Sequence, residues 1–83
     1  MYSKRFAREI QITQHAKQRM IEREISDSLL LDLIDTGTPR YKDATRLWLY
    51  KHYAERNDNL LCVAVVIENV LVVKTIMHHF EPE

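Results

Sequence analysis

Residues 59–79 read NLLCVAVVIENVLVVKTIMHH, and the rest of the chain is organised around them. Two β-branched and aliphatic runs, Leu60 to Ile67 and Val70 to Met77, are separated by Glu68 and Asn69, which is the spacing of a two-residue hairpin. Asn69 tolerates φ > 0 and suits the second turn position. Pairing Ile67 with Val70 sets Val63 opposite Lys74, Cys62 opposite Thr75 and Leu61 opposite Ile76. Directly opposed residues share a face. One face then carries Leu61, Val63, Val65, Ile67, Val70, Val72 and Ile76, broken by Lys74. The other carries Leu60, Cys62, Ala64, Val66, Leu71, Val73 and Met77, broken by Thr75. Both faces are apolar and both need cover, and the polar residue at the same end of each marks a candidate site.

The chain has 83 residues, 46% hydrophobic and 29% charged, with one Gly and two Pro. That composition predicts a single soluble domain over residues 1–83, with no linker, repeat or low-complexity segment, burying about 60–65% of the surface of its unfolded chain. Residues 1–8 are expected to form a frayed basic head and residues 80–83 a tail. No apolar run approaches the ~20 residues of a membrane span, and the N-terminus has no hydrophobic signal region, so a cytoplasmic protein is expected. The single Cys62 excludes a disulfide framework and reads as core packing. Twelve Lys and Arg balance twelve Asp and Glu. The cations are biased toward residues 1–25, which is compatible with a phosphate-bearing partner but does not demand one.

In chain order, Glu9 to Ile12 reads as a short extended segment and Thr13 as the N-cap of a first helix, QHAKQRMIERE. Ser26 caps a second helix with Asp27 in its first turn, and Gly37 is expected to end it in the left-handed conformation. Leu29, Leu30, Leu33 and Ile34 form the stripe that this helix buries. Arg40 to Asp43 is a short edge strand, turning near Asp43 and Ala44 into a longer strand from Thr45 to Tyr53. The expected fold is α+β: two N-terminal helices packed on one face of a four-stranded antiparallel meander sheet. Two helices cover one face only, so a homodimer or a partner protein is expected on the second face.

Three groups of residues can carry chemistry. His15, Arg19 and Arg23 recur at i, i+4 and i+8 along one edge of the first helix. Guanidinium groups hold a phosphate by paired hydrogen bonds, and an imidazole moves a proton near neutral pH. The bland alternative is a solvated helix face. The second group is the strand end, Lys74, Thr75, His78 and His79, where a lysine can stabilise a phosphorane and only one of the adjacent histidines can face a given side. The third is the strand face Arg46, Trp48, Tyr50 and His52, whose interleaved cations and aromatics suit RNA bases and phosphates and equally suit a protein interface. No spacing of His, Cys or carboxylates marks a metal site, and no cofactor is expected.

HAKQRMIEREIS, a helix ending in DTG and a final strand VLVVKTI together resemble a family of small bacterial proteins known as domain of unknown function 4258. Its members open with H-A-x-x-R-x-x-x-R-x-I-S and close on a strand of the V-V-T-V type. The resemblance covers residues 12 to 77. His15, Arg19 and Arg23 fall on the opening motif and Thr75 on the closing strand. The chain departs at Glu24, where the family usually has Gly between the helices. In element order the family is similar to small ribonuclease toxins of the RelE and BrnT kind, which implies a metal-independent endoribonuclease with His and Arg at its site. On that reading His15 or His78 removes a 2′-OH proton, Arg19 and Arg23 hold the phosphate and Lys74 meets the developing charge. The competing expectation is a non-catalytic protein-interaction or assembly module.

Overall fold

The computed structural model describes residues 1–54 and 61–78; for His78 it describes the main chain alone. Two helices, α1 (Gln14–Glu22) and α2 (Asp27–Thr36), accompany six strands. These are β1 (Tyr2–Ser3), β2 (Arg8–Ile12), β3 (Thr38–Tyr41), β4 (Arg46–Lys51), β5 (Leu61–Ile67) and β6 (Leu71–His78). They form one sheet in the order β1-β2-β6-β5-β4-β3. This corrects the expected four-stranded antiparallel meander behind two leading helices. Strands come first in the chain, and the sheet is mixed, because β2 pairs with β6 in parallel, Ile10 beside Leu71 and Ile12 beside Val73. The burial of Ile10 drives that pairing: Arg-Glu-Ile-Gln-Ile turns Ile10 into the core and Gln11 outward. Within the sheet, β3, β4, β5 and β6 run antiparallel in sequence order.

The head expected to fray is drawn into the sheet. Residues Tyr2 and Ser3 pair with Glu9 and Arg8, and the Ile10 N–H donates to the Met1 carbonyl at 2.7 Å. Ser3 is fully buried, its hydroxyl donating to Asp35 at 2.6 Å. Arg5 donates to the Ile34 and Gly37 carbonyls at the end of α2, where a cation complements the helix dipole. Since α2 touches β1 as well as β4 and β5, strands far apart in the sheet, the sheet curls around it.

The central hairpin differs from its expected register at two points. Ile67 pairs with Leu71, so the loop holds three residues, 68–70, closed by the Glu68 N–H on the Val70 carbonyl at 2.9 Å. The extra loop residue reverses the faces of Leu71, Val72 and Val73: Leu71 and Val73 join Val65 and Ile67 on the helix side and Val72 turns away. A bulge then follows. Val65 pairs with Val73 but Ala64 pairs with Thr75, so Lys74 has no partner across the ladder. This second slip adds to the first, so the pairing ends two residues from the expected register while the faces are restored: Ile76 lies opposite Val63 in the core, and Thr75 and Met77 return to the other face.

The core lies between the helices and one face of the sheet, with Leu30, Leu33 and Ile34 of α2 and Ala16 and Met20 of α1 packed against Leu47, Leu49, Val63, Val65, Val73 and Ile76. Cys62 is fully buried on the opposite side of β5, and burial pushes its thiol up to about 12. Both helices start where their caps predict: Thr13 accepts from the Ala16 N–H and Ser26 from the Leu29 N–H, each at 3.1 Å. At the end of α1 the Ile25 N–H reaches the Met20 carbonyl and the Glu24 N–H the Ile21 carbonyl, a Schellman closure that puts Glu24 at φ 55°. Gly37 corrects the expected left-handed cap, since it is extended, with φ −68° and ψ 159°. Close approach is what it serves, because a Cβ there would lie 2.4 Å from the Leu33 carbonyl oxygen.

A polar cluster joins α2 to the sheet. Lys51 donates to Asp32 at 3.0 Å and to the Thr36 hydroxyl at 2.8 Å, and the Tyr53 hydroxyl donates to Asp32 at 2.6 Å. The Tyr53 hydrogen bond, with that from Lys51, holds the Asp32 carboxyl below its ordinary value. Among the described residues no helix is long and apolar enough to cross a membrane.

Candidate functional site

Thr13 determines where α1 begins in space. As β2 ends beside Val73, the Thr13 N–H donates to the Val73 carbonyl at 3.2 Å and its hydroxyl to the Lys74 carbonyl at 3.1 Å. The helix cap is therefore bonded to the bulge in β6. One residue into the helix, the exposed His15 brings Nε2 to 3.2 Å from the Thr75 hydroxyl. The donor in that contact is set by the imidazole tautomer. Because β2 stops at Ile12, the edge of β6 beyond Val73 is open to this approach from the helix.

Thr75 belongs to the sheet face that the helices leave uncovered. Reading across the ladders, Thr75 is opposite Ala64, Ala64 opposite Trp48 and Trp48 opposite Arg40. A parallel row runs Met77, Cys62, Tyr50, Thr38, and another runs Val72, Val66, Arg46. Trp48 is 37% exposed and Tyr50 half-buried. Lys42, Arg46 and Lys74 surround a depression of about 160 Å³ whose floor includes Ala64 and Val66 and whose wall includes Trp48. Arg40, Lys42, Arg46 and Lys74 border this side, whereas Asp27, Asp32 and Asp35 lie on α2 across the sheet. A chain with zero formal charge thus presents a locally basic patch here, offset in part by Asp43.

The partners of each cation differ. Arg46 is tied to Asp43, with Nε at 2.7 Å and NH2 at 2.6 Å from Oδ2. Asp43 also accepts the Thr45 and Arg46 backbone N–H groups through Oδ1. These bonds, the guanidinium first, hold its carboxyl well below the usual range, so Arg46 braces the β3–β4 turn as well as flanking the depression. Among the described residues no carboxylate forms an ion pair with Lys42, Lys74 or Arg40.

The three groups expected from the sequence are regrouped. His15 and Thr75 meet beside Lys74, the bulged residue of β6, and Arg46, Trp48 and Tyr50 share the sheet face of Thr75. Arg19 pairs with Glu22 at 3.0 Å, whose carboxyl is lowered by the Gln18 amide and by Arg19, and Arg23 is half-buried at the end of α1. His78 closes β6 opposite Leu61; its side chain, and all of His79, lie outside the described residues. Arg40 and Lys42 are additions. A two-residue turn at Asp43 and Ala44 would set Arg40 opposite Leu47, on the core side. Because five residues, 42–46, lie between the last pair, Tyr41 and Leu47, an odd number, Arg40 lies opposite Trp48 instead. Among the described residues no three His, Cys, Asp or Glu side chains gather as metal ligands.

A family model described as Domain of unknown function (DUF4258) matches residues 12–78, more than half of the chain and every element from α1 to β6. No curated protein and no solved structure matches.

Proposed function

The chain belongs to the family described as Domain of unknown function (DUF4258), and from that premise we propose that it is a toxin-like, metal-independent RNA endonuclease that binds single-stranded RNA on its uncovered sheet face. The observation that carries this reading is the row His15, Thr75, Ala64, Trp48, Arg40, which sets an imidazole, an exposed indole and a guanidinium across one basic surface. Sheet faces with exposed aromatics stack unpaired bases, and flanking cations track the phosphates. A cytoplasmic location suits that substrate.

The chemistry belongs at the bulge. With Nε2–H donating to the Thr75 hydroxyl, His15 takes the proton of a ribose 2′-OH through Nδ1, and the 2′ oxygen attacks the adjacent phosphorus. The bond to the 5′ oxygen breaks, that oxygen leaves with a proton from water, and a 2′,3′-cyclic phosphate remains. Lys74 meets the charge that develops on the phosphoryl oxygens. Thr75 orients the imidazole.

A non-catalytic assembly module is the second reading. Ala64, Val66, Val72 and Met77 are half-exposed on the same face, which favours a protein partner there. Purified protein incubated with total RNA in EDTA separates the two. Cyclic-phosphate ends that disappear with His15→Ala are the expected result, and intact RNA at every protein concentration refutes cleavage.

A further inference from the structure

On the other side of α1 lies a second surface, unrelated to the His15 site. At ~100° per residue, His15, Arg19 and Arg23 fall on one flank of the buried Ala16 and Met20, and Lys17 and Ile21 fall on the opposite flank. Ile21 is 74% exposed, the most exposed of the large hydrophobic residues described. It stands beside an open groove of about 640 Å³, between the end of α1 and the start of α2, whose apolar lining includes Ile12, Met20 and Ile25. Lys17 lines one end of this groove, and Glu24 and Asp27 line the other.

This layout is self-complementary. Lys17 and Glu24 are separated by seven positions, roughly 10 Å along the helix direction, with Ile21 between them. A two-fold axis passing beside Met20 and Ile21, in the last turn of α1, runs two copies antiparallel and sets Lys17 of each against Glu24 and Asp27 of the other. The same operation places each Ile21 over the apolar lining of the opposite groove. An isologous contact requires a patch that complements itself in both shape and sign of charge, and opposite charges across it fix its register. A partner of different sequence would need that alternation supplied independently.

We propose that this groove is the interface of a symmetric homodimer of the chain, centred on Ile21 and registered by Lys17 against Glu24 and Asp27. Such a dimer leaves the basic sheet face open on both copies, so it is compatible with a ligand there and does not depend on one.

The test is a charge swap followed by sedimentation velocity and equilibrium at tens of micromolar, with circular dichroism to confirm folding. The full chain should be dimeric and Ile21→Ser monomeric. Lys17→Glu alone and Glu24→Lys alone should each weaken the dimer by about tenfold or more, since each creates a like-charge contact twice per dimer. The double variant should return to within about threefold of the original affinity. A monomeric wild type, a dimer unaffected by Ile21→Ser, or a double variant no tighter than the singles would overturn the proposal. Loss of the dimer with Trp48→Ala but not with Ile21→Ser would assign assembly to the sheet face and overturn it equally.

Discussion

His15 and Thr75 are 60 positions apart in the chain and meet at 3.2 Å between imidazole Nε2 and hydroxyl Oγ1. The contact exists because Thr13 bonds the start of α1 to the carbonyl of Lys74, the bulged residue of β6. A helix cap and a strand irregularity thus share one hydrogen bond, and an exposed imidazole is delivered to a sheet face.

If that imidazole is the base, His15→Ala should lower RNA cleavage by about 10²-fold or more while RNA affinity changes little. Thr75→Val keeps the shape and removes the hydroxyl, so it should give a smaller loss confined to turnover. Single-turnover cleavage of end-labelled RNA checks both, and unchanged rates in both variants would remove the bulge from the chemistry.

Binding should depend on different residues. Trp48→Ala should weaken single-stranded RNA by about 1–3 kcal/mol, the range of one stacked base. Lys74→Ala should instead weaken all sequences alike and reduce the salt dependence of log affinity by about one unit of slope. Fluorescence anisotropy across a salt series distinguishes the two. Equal affinities for wild type and Trp48→Ala would show that the indole takes no base.

Two turn residues have opposite expectations. Glu24 holds φ at 55°, a conformation that costs an L-residue about 1–2 kcal/mol, so Glu24→Gly should raise the stability of the monomer, measured at concentrations too low for association, by about 1 kcal/mol. Gly37 already has an ordinary φ, yet a methyl there meets the Leu33 carbonyl. Backbone cannot rotate away as a side chain can, so Gly37→Ala should cost about 1–3 kcal/mol. Urea midpoints at constant slope measure both, and a neutral Gly37→Ala would show that the helix end relaxes.

Acid should act through Asp32. Its carboxyl is lowered from 3.8 in the folded chain, first by the Tyr53 hydroxyl and then by Lys51. A depressed folded-state value contributes stability that is present above the unfolded value and lost as pH falls through the folded one. Its side chain is 42% exposed, so screening keeps the contribution modest. Stability measured by urea from about pH 5 to about pH 2 should therefore fall more steeply in wild type than in Asp32→Asn. Parallel profiles would show that the cluster does not couple to folding.

The parts of this protein that its sequence determined are those governed by neighbours a few positions apart. Thr13 and Ser26 cap helices because a side-chain oxygen reaches an N–H three residues on, and the alternation of β4 separates buried Leu47 and Leu49 from Arg46, Trp48 and Tyr50 because strand side chains repeat every second residue. The resemblance carried by HAKQRMIEREIS likewise rests on a contiguous motif, which holds His15, Arg19 and Arg23. Tertiary structure alone decided the parallel pairing of β2 with β6, since Arg8 to Ile12 is a short strand whose partner lies at the far end of the described chain. It also decided the hairpin register, where a loop one residue longer turns the faces over and a bulge at Lys74 turns them back, and the turn that puts Arg40 beside Trp48. The hairpin and the β3–β4 turn rest on displacements of one residue at a time, which local propensity hardly distinguishes but which move a side chain from one face of a sheet to the other. That choice was made by docking, through Thr13 on the Lys74 carbonyl and Asp43 on Arg46, and it is the reason three separate groups of candidate residues yield one basic face with His15 at its edge.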